Sequence, residues 1–102
     1  MNIGPRHIRE RYPAQVEVVR RALATAFAKQ LPESEDFERD AVLFRTPNGC
    51  LVTVSEEFFS DVPATAISAR LAEWRVAEKA KALGQSDRLV VTTDGTFVEQ
   101  RG

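Results

Sequence analysis

A single cysteine, Cys50, and a single histidine, His7, leave several chemistries without their usual residues. One cysteine excludes an intrachain disulfide, and the chain has no CxxC motif or Cys/His spacing of a familiar zinc site. His7 lies in a segment expected to be irregular, so histidine-based acid–base work is not expected. No GxSxG, P-loop or GxGxxG occurs. Glu56, Glu57 and Asp61 are the carboxylates best placed for glycosidase-like chemistry, but 102 residues leave little room for a substrate cleft. The expectation is a protein that is not an enzyme and carries no cofactor and no metal. No apolar run is long enough to span a membrane. The charged N-terminus precedes no signal-type apolar stretch, which makes the cytoplasm the default location and removes the membrane as a partner.

What remains is ordinary globular material. With 43% hydrophobic and 28% charged residues, the chain suits one soluble domain with an adequate core. The net charge of −1 hides a division along the sequence. Residues 1–31 balance at +4, residues 32–61 at −6 and residues 62–102 at +1. Such asymmetry suits either a partner surface or two segments of one domain attracting each other.

Residues 1–12 are expected to form an irregular basic arm, and residues 13–100 a single α+β domain. Arg6, Arg9 and Arg11 in the arm are the candidates for phosphate contacts, a weak basis for nucleic-acid binding. The alternatives are a solvated tail or one docked on acidic surface. A first helix is predicted over Pro13–Leu31, where Val16, Val19, Leu23 and Phe27 recur on one side and Pro32 stops the pattern. The acidic stretch Pro32–Asp40 reads as a loop. It can supply oxygen ligands to a hard cation, but lacks the DxDxDG pattern, so a solvated surface is the simpler reading.

Thr46-Pro47-Asn48-Gly49 suits a type I turn followed by a left-handed glycine bulge. That register pairs Phe44 with Val52 and Val42 with Val54 on one apolar face, with Cys50 as a small buried hydrophobe near the turn. Ser55-Glu56-Glu57 resembles a helix start. The adjacent Phe58 and Phe59 then cannot share one helix side, so one belongs in the core and the other at an interface or over a cavity.

The longest helical pattern runs from Pro63 to Gly84, with Asp61 as N-cap and Gly84 as a left-handed C-terminal residue. Ile67, Leu71 and Trp74 form its stripe, with Val76, Ala80 and Leu83 beside it in the C-terminal half. Arg70 stands one turn before Trp74 and can cover its ring. A second hairpin surrounds Asp94-Gly95. A two-residue turn there groups Leu89, Val91 and Val98, whereas a three-residue loop groups Val91 with Phe97.

The predicted architecture is a two-layer α+β sandwich in the order helix, hairpin, helix, hairpin (αββαββ). Its four-stranded, mainly antiparallel sheet carries both helices on one face. The other face would present Leu43, Arg45 and Leu51, a half-apolar surface that invites a partner. The leading functional expectation is a small protein-interaction module, adaptor or chaperone-like, acting as a homodimer or with another protein through that face and Phe58/Phe59. The second is a ligand-sensing domain with a pocket at Ile67, Leu71 and Trp74, and the third is nucleic-acid binding by the arm. The element order and acidic balance resemble type III secretion chaperones, which implies a small dimer that binds unfolded stretches of a client. The closing helix of such proteins has no counterpart in the pattern.

Overall fold

The computed structural model describes residues 7–32, 34–38, 40–85 and 87–100. Within them the chain is α+β and runs through five helices and five strands: α1 His7–Arg11, α2 Pro13–Ala24, β1 Ser34–Glu38, β2 Ala41–Arg45, β3 Leu51–Ser55, α3 Glu56–Asp61, α4 Ala64–Glu73, α5 Val76–Ala82, β4 Asp87–Thr92 and β5 Gly95–Gln100. The strands form one sheet in the order β1-β2-β3-β4-β5. Pairing is antiparallel except between β3 and β4, which run parallel and are joined by the three-helix crossover. The expected four-stranded, mainly antiparallel sheet is therefore corrected to a five-stranded mixed one. The extra strand comes from the acidic stretch that read as a loop. β2 otherwise offers β3 one side and nothing the other, and a strand with unpaired amides recruits whatever chain lies beside it.

The β2–β3 hairpin has the predicted register, Val42 with Val54 and Phe44 with Val52. The Thr46 amide donates to the Cys50 carbonyl at 2.9 Å and the Gly49 amide to the Thr46 carbonyl at 2.9 Å. Gly49 sits at φ +89, a left-handed value that glycine adopts freely. In the second hairpin Leu89 faces Val98 and Val91 faces Thr96, so the two-residue grouping holds, but the turn residues are Thr93 and Asp94.

One sheet face supplies Val42, Phe44, Val52, Val54, Leu89 and Val91 to the core, and all five helices contribute to the same cluster. Ile8 of α1 is fully buried there, so residues 7–11 of the expected irregular arm are helical and anchored. The first helix ends at Ala24, short of Leu31. Ala28 and Lys29 turn left-handed, and the Lys29 amide reaches back to the Ala24 carbonyl at 2.9 Å. Glu17 accepts from Arg21 at 2.8 Å and Arg20 at 2.9 Å on the helix surface. Those two bonds, Arg21 first, hold its carboxyl below the usual range, though pairs this exposed stabilise little.

The long helix predicted over Pro63–Gly84 is two helices. At about 100° per residue, Val76 lies about 200° round from Trp74, so Val76, Ala80 and Leu83 project opposite to Ile67, Leu71 and Trp74. No straight helix can turn both rows to one core. Arg75 resolves the conflict by adopting φ 55, ψ 43, which restarts the helix and brings Val76 and Ala80 into the interior. The caps differ accordingly. Asp61 ends α3, Pro63 precedes α4 in extended conformation, and α5 ends without a left-handed glycine.

Asn48 substitutes for that missing cap. Its Nδ2 donates to the carbonyls of Ala80 (2.9 Å), Lys81 (3.1 Å) and Leu83 (2.8 Å) at the end of α5. Its Oδ1 accepts from the buried Thr46 hydroxyl, which itself accepts from the Cys50 amide at 3.1 Å. The hairpin turn thus doubles as the C-terminal cap of a helix in the crossover.

Candidate interaction edge

The register divides the side chains of the second sheet face into two rows. One contains Leu43, Thr53, Val90 and Phe97; the other contains Arg45, Leu51, Arg88 and Glu99. Leu43 and Leu51 were expected to be open, yet they are 9% and 6% exposed. Both stand on inner strands of the sheet. Thr53, opposite Leu43, is buried with no hydrogen-bond partner for its hydroxyl among the described residues, and Arg45 is exposed. The apolar surface expected from Leu43 and Leu51 is therefore small.

Phe58 and Phe59 are corrected too. They are 0% and 1% exposed, so neither lies at a surface. Ser55 caps α3 as predicted, accepting from the Phe58 amide at 3.3 Å. The helix packs against β3 and β4, and its two rings meet aromatic partners from other parts of the chain. Phe59 stacks on Tyr12 at 6.3 Å between centroids, and Phe58 meets Trp74 at 6.0 Å. Adjacent helical residues point about 100° apart, which separates them in direction without exposing either in a crevice.

Exposure concentrates on β5 instead. Phe97 is 48% and Val98 49% exposed, the largest values for bulky apolar residues among those described. They point to opposite faces, Phe97 with Val90 and Val98 with Leu89. β5 lies at the end of the strand order, so among the described residues no strand lies beside one row of its backbone amides and carbonyls. The opposite edge differs in composition. β1 reads Ser-Glu-Asp-Phe-Glu, with three carboxylates in five residues, whereas the described part of β5 carries the single charge Glu99. Charged edges resist pairing; on β5 the charges are Glu99 and, from α5, Lys79, whose ammonium donates to the Thr96 hydroxyl at 2.9 Å, while Phe97 and Val98 themselves are apolar. This was missed in the sequence because Phe97 and Val98 were judged by turn register alone. Part of the signal was present: Phe97 and Val98 are neighbours on one strand, and so cannot both face one core.

Neither of two cavities lined by described residues takes in all three expected pocket residues. Ile67 and Leu71 are buried in the core, and Trp74 packs on Phe58 with Arg70 over its ring at 5.5 Å, as predicted. A groove of about 230 Å³ lies between α2, α4 and α5 and takes in Leu71, but neither Ile67 nor Trp74. A polar cleft of about 390 Å³ lies where Arg11 and Tyr12 face Asp40 and α3.

Of the phosphate candidates, Arg6 is outside the described residues. Arg9 and Arg11 lie on exposed positions of α1, and Arg11 approaches Glu56 at 3.6 Å and the Tyr12 ring at 5.6 Å. That contact joins the basic first block to the acidic second one. Ser34–Glu38 of the acidic stretch considered for a cation form β1, and the carboxylates of that stretch other than Asp40 fall outside the described side chains. Cys50 is fully buried, and burial first, then the charge of Asp87, pushes its thiol up to about 11. Among the described residues no helix is long and apolar enough to cross a membrane. No family model matches the chain, and no curated protein or solved structure is detectably similar to it, so the likeness to type III secretion chaperones has only the element order and acidic balance read from the sequence behind it.

Proposed function

We propose that this protein is a non-enzymatic interaction module that takes up a strand from a protein partner along its β5 edge. The observation that carries the reading is the pair Phe97 and Val98, half exposed on the two faces of one uncharged stretch of edge. A guest strand would complete the backbone pairing and cover both side chains at once, the combination used in strand addition. On a two-layer view of the architecture, the helices leave this edge accessible from the side. The ligand-sensing reading loses its expected lining, because Ile67 and Trp74 are engaged in the core and its margin. The nucleic-acid reading is weakened by Arg11, whose charge is shared with Glu56.

Gentle recovery of tagged protein from its own cells, followed by native mass spectrometry, tests the proposal. Wild type is expected to carry a second protein mass, either another copy or a different chain. Phe97→Lys is expected to lose it while keeping the wild-type circular dichroism spectrum. Wild type recovered only as a single chain would sink the interaction reading.

A further inference from the structure

We infer that the strand taken up is β5 of a second copy, paired antiparallel with Phe97 on the two-fold axis. This rests on the reading of β5 as the contact edge and supplies its occupant. Side chains directly opposite in a continuous sheet share a face. A symmetric pair must therefore centre on one residue type, Phe97 against Phe97 or Val98 against Val98, and never Phe97 against Val98.

The backbone narrows the choice. Thr92 and Gly95 flank a two-residue turn, which makes them a hydrogen-bonded pair. Alternation along the ladder then turns the amides of Phe97 and Glu99 toward β4, and those of Thr96 and Val98 outward. With Phe97 at the centre, Thr96 of each copy faces Val98 of the other, and these outward amides pair. The two Phe97 rings meet in a non-hydrogen-bonded position, where opposing side chains come closest. Each exposed apolar residue on the edge is then covered by the other copy.

Charge agrees with this centre. Each Glu99 lies opposite Gly95 of the other copy, so the two carboxylates stand roughly 13 Å apart along the strands. That exceeds the screening length of about 8 Å in physiological salt. Centring on Val98 would instead set each Phe97 against a Glu99 carboxylate. Joining β5 to the β1 edge of another molecule would place Phe97 and Val98 beside a strand carrying Glu35, Asp36 and Glu38, and would leave an open chain of subunits. Two β1 edges would repel each other. The β5–β5 pair is the closed arrangement that matches apolar with apolar.

Cysteine cross-linking in the full-length chain tests the axis. Phe97→Cys should form a disulfide-linked dimer under mild oxidation, because its partner is itself; Val98→Cys should not, because it faces Thr96. The native Cys50 is buried and its thiol protonated at neutral pH, so it does not compete. Sedimentation equilibrium should show a wild-type dimer and a folded Phe97→Lys monomer. Purified wild type that stays monomeric at every concentration, with no Phe97→Cys link, would overturn the second-copy inference. Cross-linking through Val98→Cys but not Phe97→Cys would overturn the axis. If purified protein is monomeric but cell-recovered wild type carries a foreign chain that Phe97→Lys loses, the second copy is wrong and the edge reading survives. If both preparations are single chains, both fail.

Discussion

Asn48 is a turn residue with a second task, and the second cannot be seen from the turn. Its amide reaches carbonyls more than thirty residues away, starting with Ala80 at a separation of 32. Asn48→Asp keeps the size and the oxygen that meets Thr46, but replaces the donor with an acceptor facing three carbonyls. It is expected to cost about 1–3 kcal/mol, the penalty for leaving partly buried polar groups unmet. Thermal denaturation reads this as a fall of roughly 5–15 °C for a domain of this size. A variant as stable as wild type would show that water caps α5 equally well. Position 49 is also constrained, since a Cβ there would meet Gln85 Cγ at 3.1 Å. Turn type was legible in Thr46-Pro47-Asn48-Gly49, because local stereochemistry alone decides it. The cap was not, because its acceptors become neighbours only once the crossover has closed.

Elements were legible where one period governs and illegible where two compete. The β2–β3 register follows from burial of alternate residues, and its pairing was readable in advance. The region from residue 63 to 84 is uniformly rich in good helix formers, which hides a reversal of its apolar face. Measuring the angle between its two rows would have revealed the break. Arg75 bears the cost, since a non-glycine residue in left-handed conformation loses about 1–2 kcal/mol. Glycine avoids that cost but loses about 0.5–1 kcal/mol in chain entropy. Arg75→Gly is therefore expected to be neutral or to stabilise by up to about 1 kcal/mol, whereas Arg75→Val should destabilise. Urea denaturation of both variants decides this, and a clear loss in Arg75→Gly would show that its contact with Glu78, 2.7 Å away, matters more. β1 was unreadable for a different reason. Its residues favour water, and only the vacant side of β2 makes a strand of them. Leu43 and Leu51, expected to form an open face, are largely buried, and the β5 edge proposed for contact lay outside that expectation. Choosing between face and edge required the strand order.

At the scale of the molecule, the division of charge serves at least in part to hold the chain to itself, through Arg11 and Glu56. The sheet is assembled from an antiparallel three-strand unit and a terminal hairpin, joined by the parallel pair β3–β4. Local patterns identify hairpins because their partners are adjacent; a parallel junction leaves no mark of that kind. Its position in the centre has a consequence in time. The strand units can close early through short loops, but the junction must wait for all three crossover helices, since loop closure precedes the reward of distant contacts. Asn48 ties the turn of the β2–β3 hairpin to the end of α5, and these contacts are expected to form late in folding. Chevron measurements of Asn48→Asp should show faster unfolding with an almost unchanged folding rate; a slowed folding limb would place the clasp in the nucleus. The turn that starts the first hairpin would then be the last part of the molecule to be fastened, and the first released when it opens.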